Sequence, residues 1–450
     1  MDDAEAVDQE TELVERVAAI DVAKASGMLC MRLPHERIEG RRTQRVWNVG
    51  ATTNAILALG DHLLCQGVTR VIMEATGSYW KPWFYLLEAR GLECWLVNAR
   101  DVKNVPGRPK TDKLDAVWLC KLAERGMLRA SFVPPQPIRE LRDLTRLRTV
   151  FIGERSRNKQ RTEKILEDAQ IKLSSEATNI FGVSGRAIIE ALIRGERSPQ
   201  TLADLARGRL VSKHDALVEA LTGQFNDHHA YVCRLLLDSV DRITAQVDDL
   251  SQRITAQLAG ISSPQADEGG GHPGSTPGET GEVGLLPLVE RLDEIPGIGR
   301  TTAEVIMAEL GPDMRIFPTS GHVVSWAKLA PRTIQSGSKN TSGPTGHGNP
   351  WLKGVIGEAA MAAARTDTFL GARYRRLVKH RGHKKAIIAV ARSMLVIVWH
   401  LINDPTARFE DLGPNHHQRL VNPIRKTRDL VRQLEALGHT VTIAPVEAPA

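Results

Sequence analysis

The chain has 450 residues, which on length alone is enough for two or three domains of about 150 residues each. Its hydrophobic content of 42% supports buried cores, and its net charge of +6 with a pI near 9.1 indicates polyanionic partners. The five cysteines are scattered and form no Cys-x-x-Cys pair, which excludes a disulfide framework and a cysteine-based zinc site. No basic-then-apolar signal pattern stands at the N-terminus, so we expect a cytoplasmic protein with no membrane partner.

Residues 1–15 are acidic and are expected to form a disordered tail. From residue 16 to about residue 130, three strands are followed by alternating helices and strands. The predicted elements are, in order, strands at Val17–Asp21, Met28–Leu33 and Arg45–Val49, a helix at Asn54–Cys65, a strand at Arg70–Glu74, a helix at Trp80–Ala89, a strand at Cys94–Val97 and a helix from Asp112 to about Arg125. This order predicts an α/β domain of the RNase H-like type, in which helices flank a mixed sheet.

Four carboxylates fall at informative places in this predicted domain. Asp21 and Glu74 end apolar strands, while Asp112 and Asp115 lie three residues apart at the start of a helix and therefore share a face. Carboxylates brought together in this way can bind hard divalent cations such as Mg²⁺ or Mn²⁺, which assist phosphoryl transfer. Each acid alone fits a turn or a helix cap better than a metal ligand. The set of four in this order favours a metal site with nuclease-like chemistry.

A basic loop precedes the helix that begins at Asp112. It spans residues 98–110, and its cations are Arg100, Lys103, Arg108 and Lys110. Beside a metal site, such a loop can hold a nucleic-acid backbone. An ordinary surface loop explains the same residues, so both interpretations stay open.

Residues 131–261 are predicted to be mainly helical. Apolar residues near the end of this stretch recur at spacings of four and three, at Leu236, Val240, Ile243, Val247, Leu250 and Ile254. This pattern predicts a coiled coil or a helical hairpin. Residues 262–284 are rich in Gly, Pro, Ser and Thr and are predicted to be a flexible linker. A second compact, mainly helical domain is predicted for residues 285–403, followed by a tail at residues 404–450.

The second domain opens with an Ile-Pro-Gly-Ile-Gly turn between two helical stretches, as in a helix-hairpin-helix. Gly297 and Gly299 allow the backbone to turn tightly and to present N–H groups to a phosphate. Arg300 follows at the start of the next helix and adds a positive charge. The turn therefore predicts a nucleic-acid contact. The alternative is a plain helical corner that uses glycine for its geometry.

A serine stands next to glycine in a basic loop of the second domain. Ser336 has Arg332 and Lys339 on either side, and Lys353 lies at the start of the next helix. A serine hydroxyl can attack a DNA phosphodiester when a base or a metal activates it. No His–Asp pair stands at a recognisable spacing. Judged alone, Ser336 therefore fits a loop hydroxyl better than a nucleophile.

The region around this serine is strongly basic. From Lys339 to Lys385 there are ten Lys or Arg residues against only Glu358 and Asp367. Clustering of this kind fits phosphate contact, with a solvated helix face as the alternative. The apolar segment Ala386–Ile402 that follows is interrupted by polar residues and is predicted to be a buried helix, not a membrane span.

Taken together, these residues resemble the DEDD transposases of the insertion-sequence-110 family. The shared motifs occur in family order over residues 16–402. They are Ile20-Asp21-Val22-Ala23-Lys24, Glu74-Ala75-Thr76-Gly77-Ser78-Tyr79, Asn98-Ala99, Lys110-Thr111-Asp112-Lys113-Leu114-Asp115-Ala116, Ile295-Pro296-Gly297-Ile298-Gly299, Pro331-Arg332 and Ser336-Gly337-Ser338. Each motif alone is weak, but the set is highly specific.

The resemblance implies a RuvC-like nuclease domain, a helical coiled-coil connector and a C-terminal transposase domain. It implies that Asp21, Glu74, Asp112 and Asp115 bind Mg²⁺ (or Mn²⁺) and that Ser336 is the nucleophile. It further implies donor and target DNA, a guide RNA encoded by the element, and a homo-oligomer (dimer to tetramer) in which the acidic site of one subunit meets the serine of another. We further expect a bacterial protein that is cytoplasmic and associated with the nucleoid. The low aromatic content of 4% favours RNA contacts through backbone and shape.

The chain departs from the family at Lys328, where glycine is common, and at His347, where lysine is common.

The sequence leaves three hypotheses of function. The leading one is a recombinase in which Ser336 forms a transient phosphoserine link. The second is a metal-dependent junction-resolving endonuclease that uses water and in which Ser336 is structural. The third is a nucleic-acid-binding scaffold without catalytic activity. The presence of all four acids disfavours it.

Overall fold

The computed structural model describes residues 14–74, 77–98, 112–262, 286–331, 333–337, 339–419 and 423–444. It contains two compact units, Met1–Pro134 and Pro135–Ala450. The finer division predicted from the sequence, with a connector, a linker and a tail as separate segments, stays a prediction.

The first unit is built on a mixed sheet of five strands. They are β1 (Val17–Val22), β2 (Ser26–Pro34), β3 (Arg42–Gly50), β4 (Arg70–Glu74) and β5 (Glu93–Val97), arranged in the order β3-β2-β1-β4-β5. The pairs β1–β2 and β2–β3 are antiparallel, and the pairs β1–β4 and β4–β5 are parallel. The helices are α1 (Thr53–Cys65), α2 (Trp80–Ala89) and α3 (Asp112–Glu124). The predicted mixed sheet with flanking helices, and its order of elements, is confirmed.

The two faces of this sheet belong to two separate cores. Because successive residues of a strand point to opposite faces, β1 divides its side chains between them. Ala18 and Ile20 pack in the core that includes α1 and α2, whereas Val17 and Ala19 pack in the core that includes α3. The face on which a residue of β1 or β4 lies can therefore be read from its parity along the strand.

The second unit is mainly helical. Its helices are α4 (Gln136–Asp168), α5 (Leu173–Glu176), α6 (Val183–Arg194), α7 (Pro199–Ala203), α8 (His214–Ala220), α9 (Asp227–Ser262), α10 (Leu288–Asp293), α11 (Arg300–Leu310), α12 (Ser320–Trp326), α13 (Pro350–Ala363), α14 (Phe369–Arg381), α15 (His383–Asn403), α16 (His416–Arg419) and α17 (Pro423–Ala436). Two short 3₁₀ helices lie at Gly208–Lys213 and Met314–Ile316, and one hairpin is formed by β6 (Thr333–Ser336) and β7 (Lys339–Ser342).

The two longest helices, α4 and α9, pack side by side and run antiparallel. Asn158 Nδ2 donates a hydrogen bond to Ser239 Oγ at 2.9 Å, while Gln257 Nε2 donates to the carbonyl of Pro137 at 2.9 Å. Later residues of α9 thus meet earlier residues of α4. Because a polar pair in a helical seam favours one register, the partly buried Asn158–Ser239 bond favours this alignment of the two helices.

The apolar seam predicted for α9 is present from Val240 to Ile254, where the predicted residues are buried. Its start was predicted wrongly, because Leu237 is buried and Leu236 only half-buried. The buried row runs from Cys233 through Leu237 to Val240, with spacings of four and three. Leu236 lies one residue off this row and is rotated away from the seam by about 100°.

Helix α15 is long and apolar enough to cross a membrane by length and composition alone. Its apolar side chains instead form a buried row in the core of the second unit, with Ala386, Val390, Met394 and Val398 nearly inaccessible to solvent. The helix packs against α12, α13 and α14. This agrees with the prediction of a buried helix.

Candidate functional site

Two of the four candidate carboxylates lie at the carboxyl ends of neighbouring parallel strands of the first unit, Glu74 as the last residue of β4 and Asp21 one residue before the end of β1. In the register of β1 and β4, Ile20 lies opposite Met73, and Asp21 and Glu74 are the next residues along each strand. In-register residues of parallel strands point to the same face of the sheet. The two carboxylates therefore lie side by side at the carboxyl edge of the sheet.

Strand parity places both carboxylates on the face that α3 covers. Asp21 shares its parity with Val17 and Ala19, and Glu74 shares its parity with Ile72, and all three of these apolar residues belong to the core around α3. Glu74 is buried and Asp21 is half-buried, and both already have polar partners in the fold.

Helix α3 brings its first turn to this same edge. The Cys120 sulfur lies 3.5 Å from the carbonyl oxygen of Val17, so the last turns of α3 cover the start of β1. From Cys120 back to Asp112 the helix rises about 12 Å, and from Val17 to Asp21 the strand advances about 13 Å. The backbone N–H of Val14 donates to the carbonyl of Glu124 at 3.3 Å, so later residues of α3 meet earlier residues of this segment and the helix runs antiparallel to β1. The start of the helix therefore lies near the end of the strand.

Asp115 of α3 lies on the sheet-facing side of the helix. Asp112 and Asp115 stand four residues before Ala116 and Leu119, which are fully buried against the sheet. Asp115 is half-buried and has polar partners, and the side chain of Asp112 lies outside the described part of the structure. Burial raises the pKa of the Cys120 thiol, so this neighbour remains a neutral packing group.

The donor chemistry of these four positions fits a hard divalent cation, because carboxylate oxygens are the ligands that Mg²⁺ and Mn²⁺ prefer. Among the described side chains, no group of three or more His, Cys, Asp or Glu residues is already gathered into a metal-binding cluster. Asp21, Glu74 and Asp115 are among these described side chains, whereas Asp112 is described by its backbone alone. Asp21, Glu74, Asp112 and Asp115 are the residues that would hold the ion.

Five predicted nucleic-acid contacts fall outside the described residues, and nothing in the structure tests them. They are Arg100, Lys103, Arg108, Lys110 and Arg332.

Ser336 lies at the tip of the β6–β7 hairpin in the second unit. It pairs with Lys339 across a turn in which Gly337 has a φ of +57°, a conformation that favours glycine. Ser336, Gly337 and Lys339 are all exposed, and a side chain at position 337 would meet open space. Among the described residues, no group hydrogen-bonds to the Ser336 hydroxyl. The hairpin thus presents the serine to solvent, and a nucleic-acid strand can reach it from outside.

The two glycines of the Ile-Pro-Gly-Ile-Gly turn have different surroundings. Gly297 has a φ of +91°, and a Cβ there would lie 2.3 Å from the carbonyl oxygen of Ala359 in α13. Gly299 is the N-cap of α11 and has a φ of −101°. A Cβ at this position would come no closer than 3.9 Å to a neighbour, Asp293 Oδ1. Close packing therefore explains Gly297. Gly299 is open, and Arg300 beside it is exposed while donating to Glu304 at 3.3 Å.

The loop from β7 to α13 is fixed by polar contacts at both sides. Lys353 Nζ donates to the carbonyl of Gly346 at 2.7 Å and to Thr345 Oγ1 at 3.3 Å. Asn349 caps α13 by accepting from the backbone N–H of Trp351 at 3.0 Å. Lys353 thus holds the loop that leads away from the serine hairpin, a role that the sequence did not indicate.

Lys328 adopts a left-handed conformation with a φ of +54°. Glycine at such a position avoids the clash between Cβ and the backbone, which gives a physical reason for glycine to be common there. The methylenes of Lys328 lie over Gly346, so the side chain covers part of the same loop.

A buried ionic network that the sequence did not indicate lies behind this loop. Glu309 of α11 is fully inaccessible to solvent and accepts from Arg146 of α4 and from Asn349 Nδ2, the latter at 2.6 Å. Arg142 donates to the Ala308 carbonyl at 2.8 Å. One signal was available, because Glu309 stands within an otherwise apolar helix. Its partner Asn349 lies 40 positions away and Arg146 lies 163 positions away in the chain, so the pairing could not be inferred locally.

Comparisons with known proteins give matches over both candidate sites. Residues 18–171, which contain all four acids, match the family model for DEDD transposases of the IS110 type, described as "Transposase". Residues 289–375, which contain the serine hairpin, match the model described as "Transposase IS116/IS110/IS902 family".

One curated relative has the printed name "Insertion element IS110 uncharacterized 43.6 kDa protein" and comes from Streptomyces coelicolor. It is 32% identical to this chain over 123 residues, which is 27% of this chain and 30% of the relative. The matched part is thus less than a third of that protein's length.

Proposed function

The chain belongs to the IS110 family of transposases, and from that premise we propose that it cuts and rejoins DNA with Ser336 as the nucleophile and with a divalent cation held by the acidic site. The observation that carries the proposal is the convergence of Asp21, Glu74 and the first turn of α3 at one edge of the sheet. Carboxylates brought to one edge of a sheet are costly to bury unless positive charge balances them, and a divalent cation would supply that charge.

The covalent step is a transesterification at phosphorus. Ser336 Oγ attacks a DNA phosphodiester, the bond from phosphorus to the leaving deoxyribose oxygen breaks, and a phosphoserine diester forms. The hydroxyl proton of the serine passes to a base, and the leaving oxygen takes up a proton. In the reverse step a hydroxyl of another strand attacks the phosphoserine, which rejoins DNA and restores the serine. When bound, Mg²⁺ or Mn²⁺ supplies positive charge that stabilises charge developing on the phosphate oxygens.

The exposed setting of Ser336 supports an attack on a large external substrate. The acidic site and the serine belong to different units of the chain, so the reaction requires them to meet, within one chain or between copies in a homo-oligomer. Donor and target DNA are the proposed substrates, and a guide RNA from the element is the proposed partner that selects them. Membership of the family supports both proposals.

A junction-resolving endonuclease is the alternative. It is favoured by one observation, namely that no described residue hydrogen-bonds to the Ser336 hydroxyl and could accept its proton. In this alternative a water molecule attacks the phosphodiester, and the hairpin serves only to contact DNA.

A covalent-trapping experiment separates the two functions. The full chain is incubated with labelled donor and target DNA, Mg²⁺ and RNA transcribed from the flanking locus, and the products are resolved on a denaturing gel. We expect a protein–DNA adduct and exchanged strands with the unmodified chain, and neither with Ser336→Ala. DNA binding by Ser336→Ala should persist, because the residue is exposed and packs against little.

Two variants provide matched controls. Ser338→Ala tests the neighbouring serine, and Ser212→Ala removes an exposed hydroxyl elsewhere in the second unit. Both should keep the adduct. Cleavage without an adduct, equally strong in Ser336→Ala, would establish the water-using nuclease. If the reaction without RNA gave as much adduct and strand exchange as the complete mixture, the guide RNA would be removed from the proposal.

A further inference from the structure

A basic cavity of about 620 Å³ lies between helix α14 and residues 414–417, within the second unit and apart from the serine hairpin. Its cationic lining consists of Arg373, Arg375, Arg376 and Lys379, and His380 and His417 also line it. Phe369 and Pro414 supply apolar surface at one side. The family resemblance assigns no residue to this cavity.

Little negative charge opposes these cations. Asp367 is the acid that lines the cavity, and it is bound to Arg375 at 2.9 Å. Nearby Asp411 accepts from the backbone N–H of Phe369 at 3.0 Å. Among the described residues, Arg376 and Lys379 have no carboxylate within ion-pair distance.

Arg373 is the most constrained of the cations. Its Nε is buried and has no hydrogen-bond partner among the described residues. Burial and the neighbouring charges of Arg376 and Arg392 lower the pKa of its guanidinium group. Like charges crowded around a buried donor without a partner are costly unless an anion joins them.

The cations form a row with a measurable length. Arg373, Arg376 and Lys379 are spaced three residues apart on α14, so they follow one side of the helix over about 9 Å. Phosphates of a nucleic-acid strand recur about every 3.4 Å along the helix axis. Because the row has three cations, it can neutralise two to three consecutive phosphates, and the cavity is larger than a single phosphate ion needs.

We propose that this cavity binds the phosphodiester backbone of a nucleic acid, as a second contact beyond the serine hairpin. This inference shares with the proposed function only the assumption that the partner is a nucleic acid, because binding at the cavity requires no cleavage. The cavity holds two to three consecutive phosphates and carries no base recognition, so it binds strands of any sequence. Its task is to position a strand whose reacting part lies elsewhere.

The test measures how binding depends on salt. The full chain carrying Asp21→Asn, in buffer without metal, is titrated with a fluorescent 20-residue single-stranded DNA, the matching RNA and a duplex DNA, each at several NaCl concentrations. We compare it with the same chain carrying R373Q, R376Q and K379Q. The matched control carries K164Q, R209Q and R253Q, which remove three exposed charges of the second unit outside the cavity.

For each phosphate that the protein no longer neutralises, the slope of log K against log[NaCl] decreases in magnitude by about 0.7–0.9. We expect the cavity variant to reduce this slope by about 2 for at least one nucleic acid, with equal weakening for unrelated sequences, and the control to change it by less than half as much. The probe whose salt dependence changes identifies the kind of nucleic acid that the cavity binds. Equal slopes for the cavity variant and the control with all three probes would overturn the proposal.

A chemical footprint checks the location without any substitution at the cavity. Acylation of Lys379, measured by mass spectrometry, should fall severalfold when the responding nucleic acid is bound, while acylation of Lys164 should not change. Inorganic phosphate at the same phosphate concentration should not protect Lys379. Equal protection by inorganic phosphate would show a small-anion site and would also overturn the proposal. Because no cleavage is needed, failure of the serine chemistry leaves these measurements intact.

Discussion

Arg146 binds Glu309 through two parallel hydrogen bonds of 2.8 Å, from Nε to Oε1 and from Nη2 to Oε2. Glu309 is fully buried, and Asn349 donates to its Oε2 at 2.6 Å. The carboxylate thus joins three parts of the second unit, namely α4, α11 and the cap of α13. The network thus fixes the end of the loop that connects the serine hairpin to α13.

Removal of this carboxylate should be strongly destabilising. Glu309→Ala leaves Arg142 and Arg146 without their buried counter-charge, and we expect a loss of about 3–5 kcal/mol in the free energy of unfolding, measured with denaturant. Asp313→Ala is the matched control, because its pair with Arg315 is largely exposed and should cost no more than about 1 kcal/mol. Equal losses of unfolding free energy for the two variants would show that the buried network contributes no more to stability than an exposed ion pair.

The glycines of the Ile-Pro-Gly-Ile-Gly turn should separate structure from binding. Gly297→Ala places a Cβ 2.3 Å from the carbonyl oxygen of Ala359 at a φ of +91°, so we expect it to cost about 3 kcal/mol or more. Gly299→Ala meets nothing closer than 3.9 Å and should cost less than about 1 kcal/mol. Thermal unfolding of both variants provides the comparison.

A bulkier side chain tests the phosphate contact itself. Gly299→Val should leave the unfolding temperature close to that of Gly299→Ala but weaken DNA binding, because the side chain blocks the approach of a phosphate to the N-terminus of α11. Unchanged DNA affinity would mean that the turn is only a helical corner.

The sequence predicted the first unit well because its signals are local. Continuous apolar runs mark β1 and β4, and the acids lie at their carboxyl ends, Asp21 one residue before the end of β1 and Glu74 as the last residue of β4. The start of α3 at Asp112 was also predicted. Once the strand order is known, parity alone places both strand-end acids on the face of α3.

The second unit was less predictable because its decisive contacts join distant residues. Gly297 was interpreted as a phosphate contact, yet its packing depends on Ala359, which lies in another helix. The basic cluster was recognised from composition, but its cavity forms only where α14 meets residues 414–417. Lys353 was counted among the nucleic-acid contacts, and the structure shows its amine bound to the loop carbonyl of Gly346.

The left-handed conformation of Lys328 predicts a stabilising substitution. A non-glycine residue at a φ of +54° carries about 1–2 kcal/mol of strain, and glycine gives back about 0.5–1 kcal/mol through the entropy of the unfolded chain. We therefore expect Lys328→Gly to change the free energy of unfolding by up to about 1 kcal/mol in the stabilising direction. Lys164→Gly, in the interior of α4, should cost about 1 kcal/mol. A loss in Lys328→Gly as large as in Lys164→Gly would contradict the strain argument.

Metal binding by the acidic site should be visible in stability, without any measurement of activity. A ligand that binds only the folded protein stabilises it by about 1.4 kcal/mol at ten times its dissociation constant, so the unfolding temperature of the first unit should rise with the logarithm of the Mg²⁺ concentration. Asp21→Asn removes one ligand charge and should abolish most of this rise, and chelation should return the unmodified chain to its starting value. Asp61→Asn is the control, since Asp61 is an exposed carboxylate paired with Arg90 at 2.9 Å. If Asp21→Asn and Asp61→Asn respond to Mg²⁺ alike, the ion binds elsewhere, and the convergence of strand ends with α3 serves packing alone.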